Sequence, residues 1–127
     1  MADRQLVSSG SPYESTIGFS RAVRVGNHVW VAGTAPIWPD GSCDPDPEVQ
    51  AGRCLEIILA ALAEAGAGPE HVVATRMFMT NPSFGEAVGR AHGRVFGDIR
   101  PAATQLAVAA LLRPEWKVEI EAEAVIA

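Results

Sequence analysis

The C-terminal stretch of this chain alternates strictly between two kinds of residue. Within the predicted strand over residues 116–126, the apolar residues Val118, Ile120, Ala122 and Ala124 alternate with Glu119, Glu121 and Glu123. Successive side chains of a strand point to opposite faces of a sheet, so the pattern predicts a strand with one buried and one solvated face. The fold must therefore contain a sheet that is covered on one side.

The rest of the sequence predicts the elements that accompany this strand. Two apolar runs within residues 19–34 flank Gly26-Asn27, a dipeptide typical of tight hairpin turns. Residues 35–46 are crowded with Pro, Asp and Gly and predict a loop. The further predictions are a helix from Asp46-Pro47 to Gly66, a strand over 72–80, a helix after the capping-box sequence Ser83 to Glu86, and strands over 103–112 and 116–126 joined by a short hairpin at 113–115.

The predicted order is β-β-α-β-α-β-β, an α+β fold with one mixed sheet and two helices on one face. At 127 residues the chain is expected to form a single domain over residues 1–127. One helix layer leaves the other sheet face bare. Because the strand over 103–112 is apolar on both phases, we expect that bare face to be buried by oligomerisation.

Charge and composition exclude several classes of function. The formal net charge of -5 argues against a phosphate-backbone partner, so no nucleic acid is expected. No stretch approaches the length of a membrane span, so no membrane partner is expected. Two cysteines give no disulfide framework, which favours the cytoplasm. The three histidines, His28, His71 and His92, lie on different elements, and no metal site is predicted.

Charged residues on the predicted strands are the first candidates for a site. If the glutamate face of the last strand were buried, repulsion would raise at least one carboxyl pKa. For Glu121 and Glu123 we favour a solvated strand face, because unpaired buried carboxylates are unfavourable. Arg76 lies inside an otherwise apolar strand. It either binds a carboxylate ligand or pairs with one of the glutamates, and the second interpretation is favoured.

Several collinear segments make the chain similar to the RidA/YjgF family of reactive-intermediate deaminases. Residues 29–36 (VWVAGTAP) resemble the family strand that ends in Ser-Gly-Gln-x-Pro, and residues 62–73 resemble its helix end and next strand. Pro101-Ala102 and residues 118–122 (VEIEA) resemble its C-terminal signature, Pro-Ala-Arg followed by an x-Glu-Ile-Glu-Ala strand. The resemblance covers almost the whole chain.

The resemblance implies a chorismate-mutase-like fold assembled as a homotrimer, with a small-molecule cleft at each subunit interface. Active family members hydrolyse enamines and imines such as 2-aminoacrylate to a 2-keto acid and ammonia, without metal or cofactor. That chemistry needs a cation for the substrate carboxylate and a carboxyl-held water that attacks the imine carbon.

The family's site residues carry over only in part. The glutamate is present as Glu119, which the resemblance makes the catalytic candidate, and the backbone-lined glycine is present as Gly33. The signature arginine is replaced by Ala103, followed by Thr104. The cleft tyrosine aligns with Phe19 and the asparagine of the second helix with Gly89. With Arg76, these positions form the expected substrate-binding set.

Three hypotheses follow. The leading hypothesis is a divergent member that keeps the cleft, binds a different small molecule and has hydrolysis as its candidate activity. The ligand is expected to differ because losing a charged clamp weakens binding of an amino-acid imine by orders of magnitude. The second is an imine deaminase in which Arg76 or Arg21 supplies the missing cation. The third is a non-catalytic interaction protein whose cleft is filled by its own side chains.

Overall fold

The computed structural model describes residues 3–127 and contains six strands and two α-helices over that range. The strands are β1 (Arg4–Val7), β2 (Ala22–Val25), β3 (His28–Thr34), β4 (Val72–Met79), β5 (Ala102–Ala107) and β6 (Val118–Val125). The helices are α1 (Pro47–Glu64) and α2 (Gly85–Phe96). A short π-helical turn, Glu14–Gly18, precedes β2.

Local sequence signals set the ends of the first helix, as predicted. The Asp46 side chain accepts hydrogen bonds from the backbone N–H of Glu48 at 2.8 Å and of Val49 at 3.2 Å, and Pro47 occupies the first helical position. After the helix, Gly66 adopts a φ of 84°, a left-handed conformation that glycine enters without strain.

The strands form one sheet in the order β1-β2-β3-β6-β4-β5. All neighbouring pairs are antiparallel except β4 and β5, which are parallel, so the sheet is mixed. Both helices lie on one face, with α1 against β6 and β3, and α2 beside α1. The predicted α+β class and the one-sided helix layer are confirmed.

The covered sheet face and the helices enclose the core. Ile58 and Leu62 of α1, Val88 and Phe96 of α2, and Ile120 of β6 are all almost completely buried. The apolar phase of β6 faces this layer, and the glutamate phase faces away from it. The alternating pattern thus divides β6 between a covered face and an open face.

Three sequence expectations are wrong in detail. The sheet has an additional N-terminal strand, β1, which the sequence did not predict because four residues are too short to show an alternating pattern. No hairpin joins β5 to β6: β5 ends at Ala107 at the sheet edge, and residues 108–117 carry the chain past β4 so that β6 pairs with both β3 and β4. The second helix is preceded by a short turn capped by Asn81, whose side chain accepts from the N–H of Ser83 at 2.9 Å, in place of a capping box from Ser83 to Glu86.

Candidate functional site

An irregularity in β3 brings Gly33 against Glu119. The register between β3 and β6 shifts between Val31 and Thr34, which is a β-bulge. A Cβ atom at Gly33 would lie 3.4 Å from Glu119 Oε1 and 3.7 Å from its carboxyl carbon. Bulges reposition side chains beside functional sites, and here the absence of a Cβ leaves the carboxyl group close to bare backbone.

Glu119 lies half-buried in the open face, close to two other charged groups, Arg21 and Glu121. Burial raises the pKa of Glu119 above its ordinary value, the charge of Arg21 opposes that rise, and Glu121 adds to it. A carboxyl group in such an environment can hold a water molecule and exchange a proton with it, which is the role required of a general base.

Arg21, which precedes β2, contacts the same place. Its Nη2 donates a hydrogen bond to the carbonyl oxygen of Gly33. Its guanidinium carbon lies 5.6 Å from the centre of the Phe19 ring, within the range of a cation–π contact. Of the two arginines considered for a relocated cation, Arg21 is the one beside Glu119.

Arg76, the other arginine considered, forms an ion pair with Glu121 on the open face. Its Nη1 lies 3.2 Å from Oε1 of Glu121, directly across from it on β6. The expected pairing of Arg76 with a glutamate is therefore confirmed. Glu121 and Glu123 are partly covered rather than fully solvated, and both line a shallow depression of about 270 Å³ with Trp30 and Arg76. Neither Glu119 nor Gly33 lines that depression.

The positions of the family arginine and asparagine lie apart from Glu119 within one chain. Ala103 and Thr104 lie on the exposed edge strand β5, where they are in register with Thr75 and Arg76 of β4. Gly89 of α2 lies near Gln105, since a Cβ there would be 3.5 Å from Gln105 Nε2. Within one chain, β4 separates β5 from β6.

Sequence reasoning missed two polar residues next to these groups. Glu14 is buried at the start of the π-helical turn and accepts a 2.9 Å hydrogen bond from the backbone N–H of Ser9. Gln105 donates to the carbonyl oxygen of Gly85 at 3.1 Å. Gln105 could have been found, because it lies two residues after Ala103 and so on the same face of β5. No sequence pattern marks Glu14.

The described part of the chain holds no cluster of three or more His, Cys, Asp or Glu side chains suited to a metal ion. Over the same residues, no helix is long and apolar enough to span a bilayer.

Comparisons with known proteins match this architecture over most of the chain. Residues 10–126 match the family model described as Endoribonuclease L-PSP. The crystal structure of Rv2704 from Mycobacterium tuberculosis, described as a member of the YjgF/YER057c/UK114 family, has 43% sequence identity and a TM-score of 0.90, covering 98% of this chain and 100% of that one. The chain belongs to the RidA/YjgF family.

Two curated relatives extend the similarity. The uncharacterized protein SCO2049 of Streptomyces coelicolor is 40% identical over 123 residues, which span 93% of this chain and 89% of the relative. A RutC family protein of Pyrococcus abyssi, PYRAB12510, is 32% identical over 106 residues, 82% of this chain and 83% of the relative. Family membership supports a small-molecule-binding or deaminase-like function.

Proposed function

We propose that this chain is a divergent family member that binds a small polar metabolite beside Glu119 and Gly33. The observation that carries the proposal is the half-buried Glu119 carboxyl group placed against the bare backbone of Gly33. Burial raises the pKa of Glu119, so at neutral pH its carboxylate is a better proton acceptor than an exposed one. Glu119 then holds the water that would attack a bound ligand.

The charges around Glu119 favour a ligand other than an amino-acid imine. The clamp position is Ala103, which carries no charge. Arg76 is paired with Glu121, and the charge of Arg21 faces two carboxylates, Glu14 and Glu119. An anionic ligand would meet Glu119 without a dedicated cation, which is repulsive. We therefore propose an uncharged or weakly charged ligand.

A homotrimer is part of this proposal. The open face carries Trp30, which is 43% exposed and stacks on His28 at 5.3 Å between ring centres. Burying that face against further copies removes exposed apolar surface from water. The edge strand β5 with Ala103 and Thr104 would complete the cleft of a neighbouring subunit, which accounts for its distance from Glu119 within one chain.

A second candidate function is enamine or imine deamination with Arg21 as the relocated cation. It is favoured by one observation, the placement of the Arg21 charge beside Glu119 and the Gly33 backbone. In that reaction water adds to the C=N carbon, and the C–N bond then breaks to give a ketone and ammonia. Glu119 would accept the proton of the attacking water and return it to the leaving nitrogen.

The proposal does not extend to nucleic acid, although the family model carries an endoribonuclease description. The net charge is -5, and three glutamates lie in a row on the open phase of β6. A phosphate backbone would be repelled by this surface.

The test is a binding screen with 2-keto acids, simple carboxylates and their amides, measured by ligand-observed NMR. We expect uncharged amides to bind in preference to the free acids, and Glu119→Gln and Gly33→Ala to abolish binding of the hits. Glu123→Gln, two strand repeats away on the same face, is the matched control and should retain it. Hits that survive both Glu119→Gln and Gly33→Ala would place the ligand elsewhere and overturn the proposal.

A further inference from the structure

The segment before β2 contains two charged side chains that are wholly or partly withdrawn from solvent, Glu14 and Arg21. Glu14 accepts hydrogen bonds from the backbone N–H and the hydroxyl of Ser9. Arg21 N donates to Val7 O of β1 at 2.8 Å, and Arg21 O accepts from Ala32 N of β3 at 3.0 Å. The backbone of Arg21 is thus fixed between two strands, next to the bulge that contains Gly33.

The guanidinium of Arg21 is largely committed to the protein. Nη2 donates to Gly33 O, and the Nε atom is sealed from solvent without a hydrogen-bond partner. Phe19 lies near one side of the guanidinium group. A ligand clamp needs a fork of donors open to the cleft, whereas two of the three nitrogens here are unavailable to a ligand. This geometry indicates that Arg21 stabilises the backbone at Gly33 rather than binding a ligand.

We propose that Arg21 is a positioning residue that fixes the Gly33 peptide and, together with the buried charge of Glu14, sets the charge environment of Glu119. The proposal rests on the proposed function, since it describes how Glu119 is prepared for its ligand. It assigns to the N-terminal segment a role in the site that the family resemblance did not imply.

The electrostatics agree with this geometry. Burial raises the pKa of Glu14, but hydrogen bonds from Ser9 and Ser8 and the charge of Arg21 outweigh it, so the pKa lies below its ordinary value. Burial lowers the pKa of Arg21, and Glu14 and Glu119 oppose that shift. An arginine remains protonated in proteins, so its positive charge is permanent at this place.

Few other charged groups lie near Glu119, so the effect of Arg21 on its pKa can be measured separately from theirs. The groups that couple to its titration are Arg21 before β2 and Glu121 on the same strand, while Cys54 of α1 senses the charge of Glu119. Burial raises the pKa of the Cys54 thiol well above its ordinary value, so Cys54 is neutral throughout the range in which Glu119 titrates. Phe78, across from Glu119 on β4, carries no charge.

The test is a carboxyl-detected ¹³C NMR titration of Glu119 in the full-length protein, together with the backbone ¹⁵N resonance of Thr34, which shares a peptide unit with the Gly33 carbonyl. We expect Arg21→Gln to raise the Glu119 midpoint by on the order of one pH unit and to move the Thr34 resonance. Arg21→Lys keeps the charge and should restore most of the midpoint.

Glu14→Gln provides a prediction of opposite sign. It keeps a side-chain acceptor for Ser9 but removes the charge that partly neutralises Arg21, so the Glu119 midpoint should fall by roughly half a unit. General loosening of the structure would not move the midpoint in opposite directions in the two variants. Arg24→Gln, on β2, is the matched control: Arg24 also donates to a backbone carbonyl, that of Ala65 at 2.7 Å. It should leave both signals in place.

Unchanged Glu119 midpoints and Thr34 resonances in Arg21→Gln and Glu14→Gln would overturn the positioning role. The titration needs no ligand, so its failure is separate from failure of the binding screen. Shifted midpoints together with a binding screen that yields no hits dependent on Glu119 and Gly33 would support the positioning role and contradict the proposed function.

Discussion

The two faces of the sheet are built from the same strands but differ in composition and burial: one is apolar and covered by the helices, and the other carries charged side chains. On the covered face, Val118, Ile120 and Ala124 of β6 are almost fully buried beneath the helix layer, with α1 packed against β6. On the open face, the residues between them are glutamates, one of them paired with Arg76 and one half-buried beside Gly33. The covered face stabilises the subunit, whereas the open face holds charged groups partly out of water. That arrangement is unfavourable for stability and typical of a binding site.

The largest expected effect concerns what covers the open face. We expect sedimentation equilibrium to give about three times the subunit mass of 13.4 kDa. Trp30→Glu should shift the protein toward the subunit mass, because a charge would replace an apolar ring that is exposed on the open face. A wild-type mass of 13.4 kDa would show that the open face is not an interface between copies.

The next effect tests the covered face. Ile58 is completely buried at the middle of α1, so Ile58→Ala should lower the free energy of unfolding by about 2–5 kcal/mol through cavity formation. The control is Val49→Ala on the same helix, where the side chain is 45% exposed and a loss below about 1 kcal/mol is expected. Denaturant titration measures both. Equal losses would mean that the two sides of α1 do not differ as described.

The smallest effect concerns the pH dependence of Glu119. Burial raises the pKa of Glu119 in the folded state, so as pH rises the unfolded chain loses this proton before the folded protein does. The protonated form therefore contributes to stability at low pH, and this contribution is lost as pH rises through the folded-state pKa. Glu119→Gln should therefore gain stability relative to wild type between acidic and neutral pH. Because the side chain is only half-buried, the gain should stay below about 1 kcal/mol. Glu123→Gln is the control, and parallel pH profiles for wild type and Glu119→Gln would contradict the account.

The covered face was predictable because its signals are local. The alternation in β6, the cap formed by Asp46 and Pro47, and the positive φ required at Gly66 are all recorded in neighbouring residues. The pairing of β5 and β6 was not predictable in this way. A short connection containing Pro114 suggests a hairpin, but the choice of partner strand depends on where the rest of the sheet leaves a free edge.

The open-face site could be predicted only in part. The resemblance identified Glu119 and Gly33, and the structure brings them together. A glycine inside a strand pattern is a signal for a bulge and could have predicted the register shift. The place of Arg21 could not be predicted, because its hydrogen bond goes to the carbonyl oxygen of Gly33 within that bulge, which lies on another strand.

The most direct test of the changed-ligand account is hydrolysis of 2-aminoacrylate, generated by a serine dehydratase and followed spectroscopically. We compare wild type, Ala103→Arg, Arg21→Gln and Arg76→Ala with an arginine-bearing family member as the positive control. Wild type should leave the buffer rate unchanged, and Ala103→Arg should raise it in part, with Phe19 and Gly89 still differing from the active pattern. Full wild-type activity would contradict the account, and its loss in Arg21→Gln or Arg76→Ala would identify the arginine on which that activity depends.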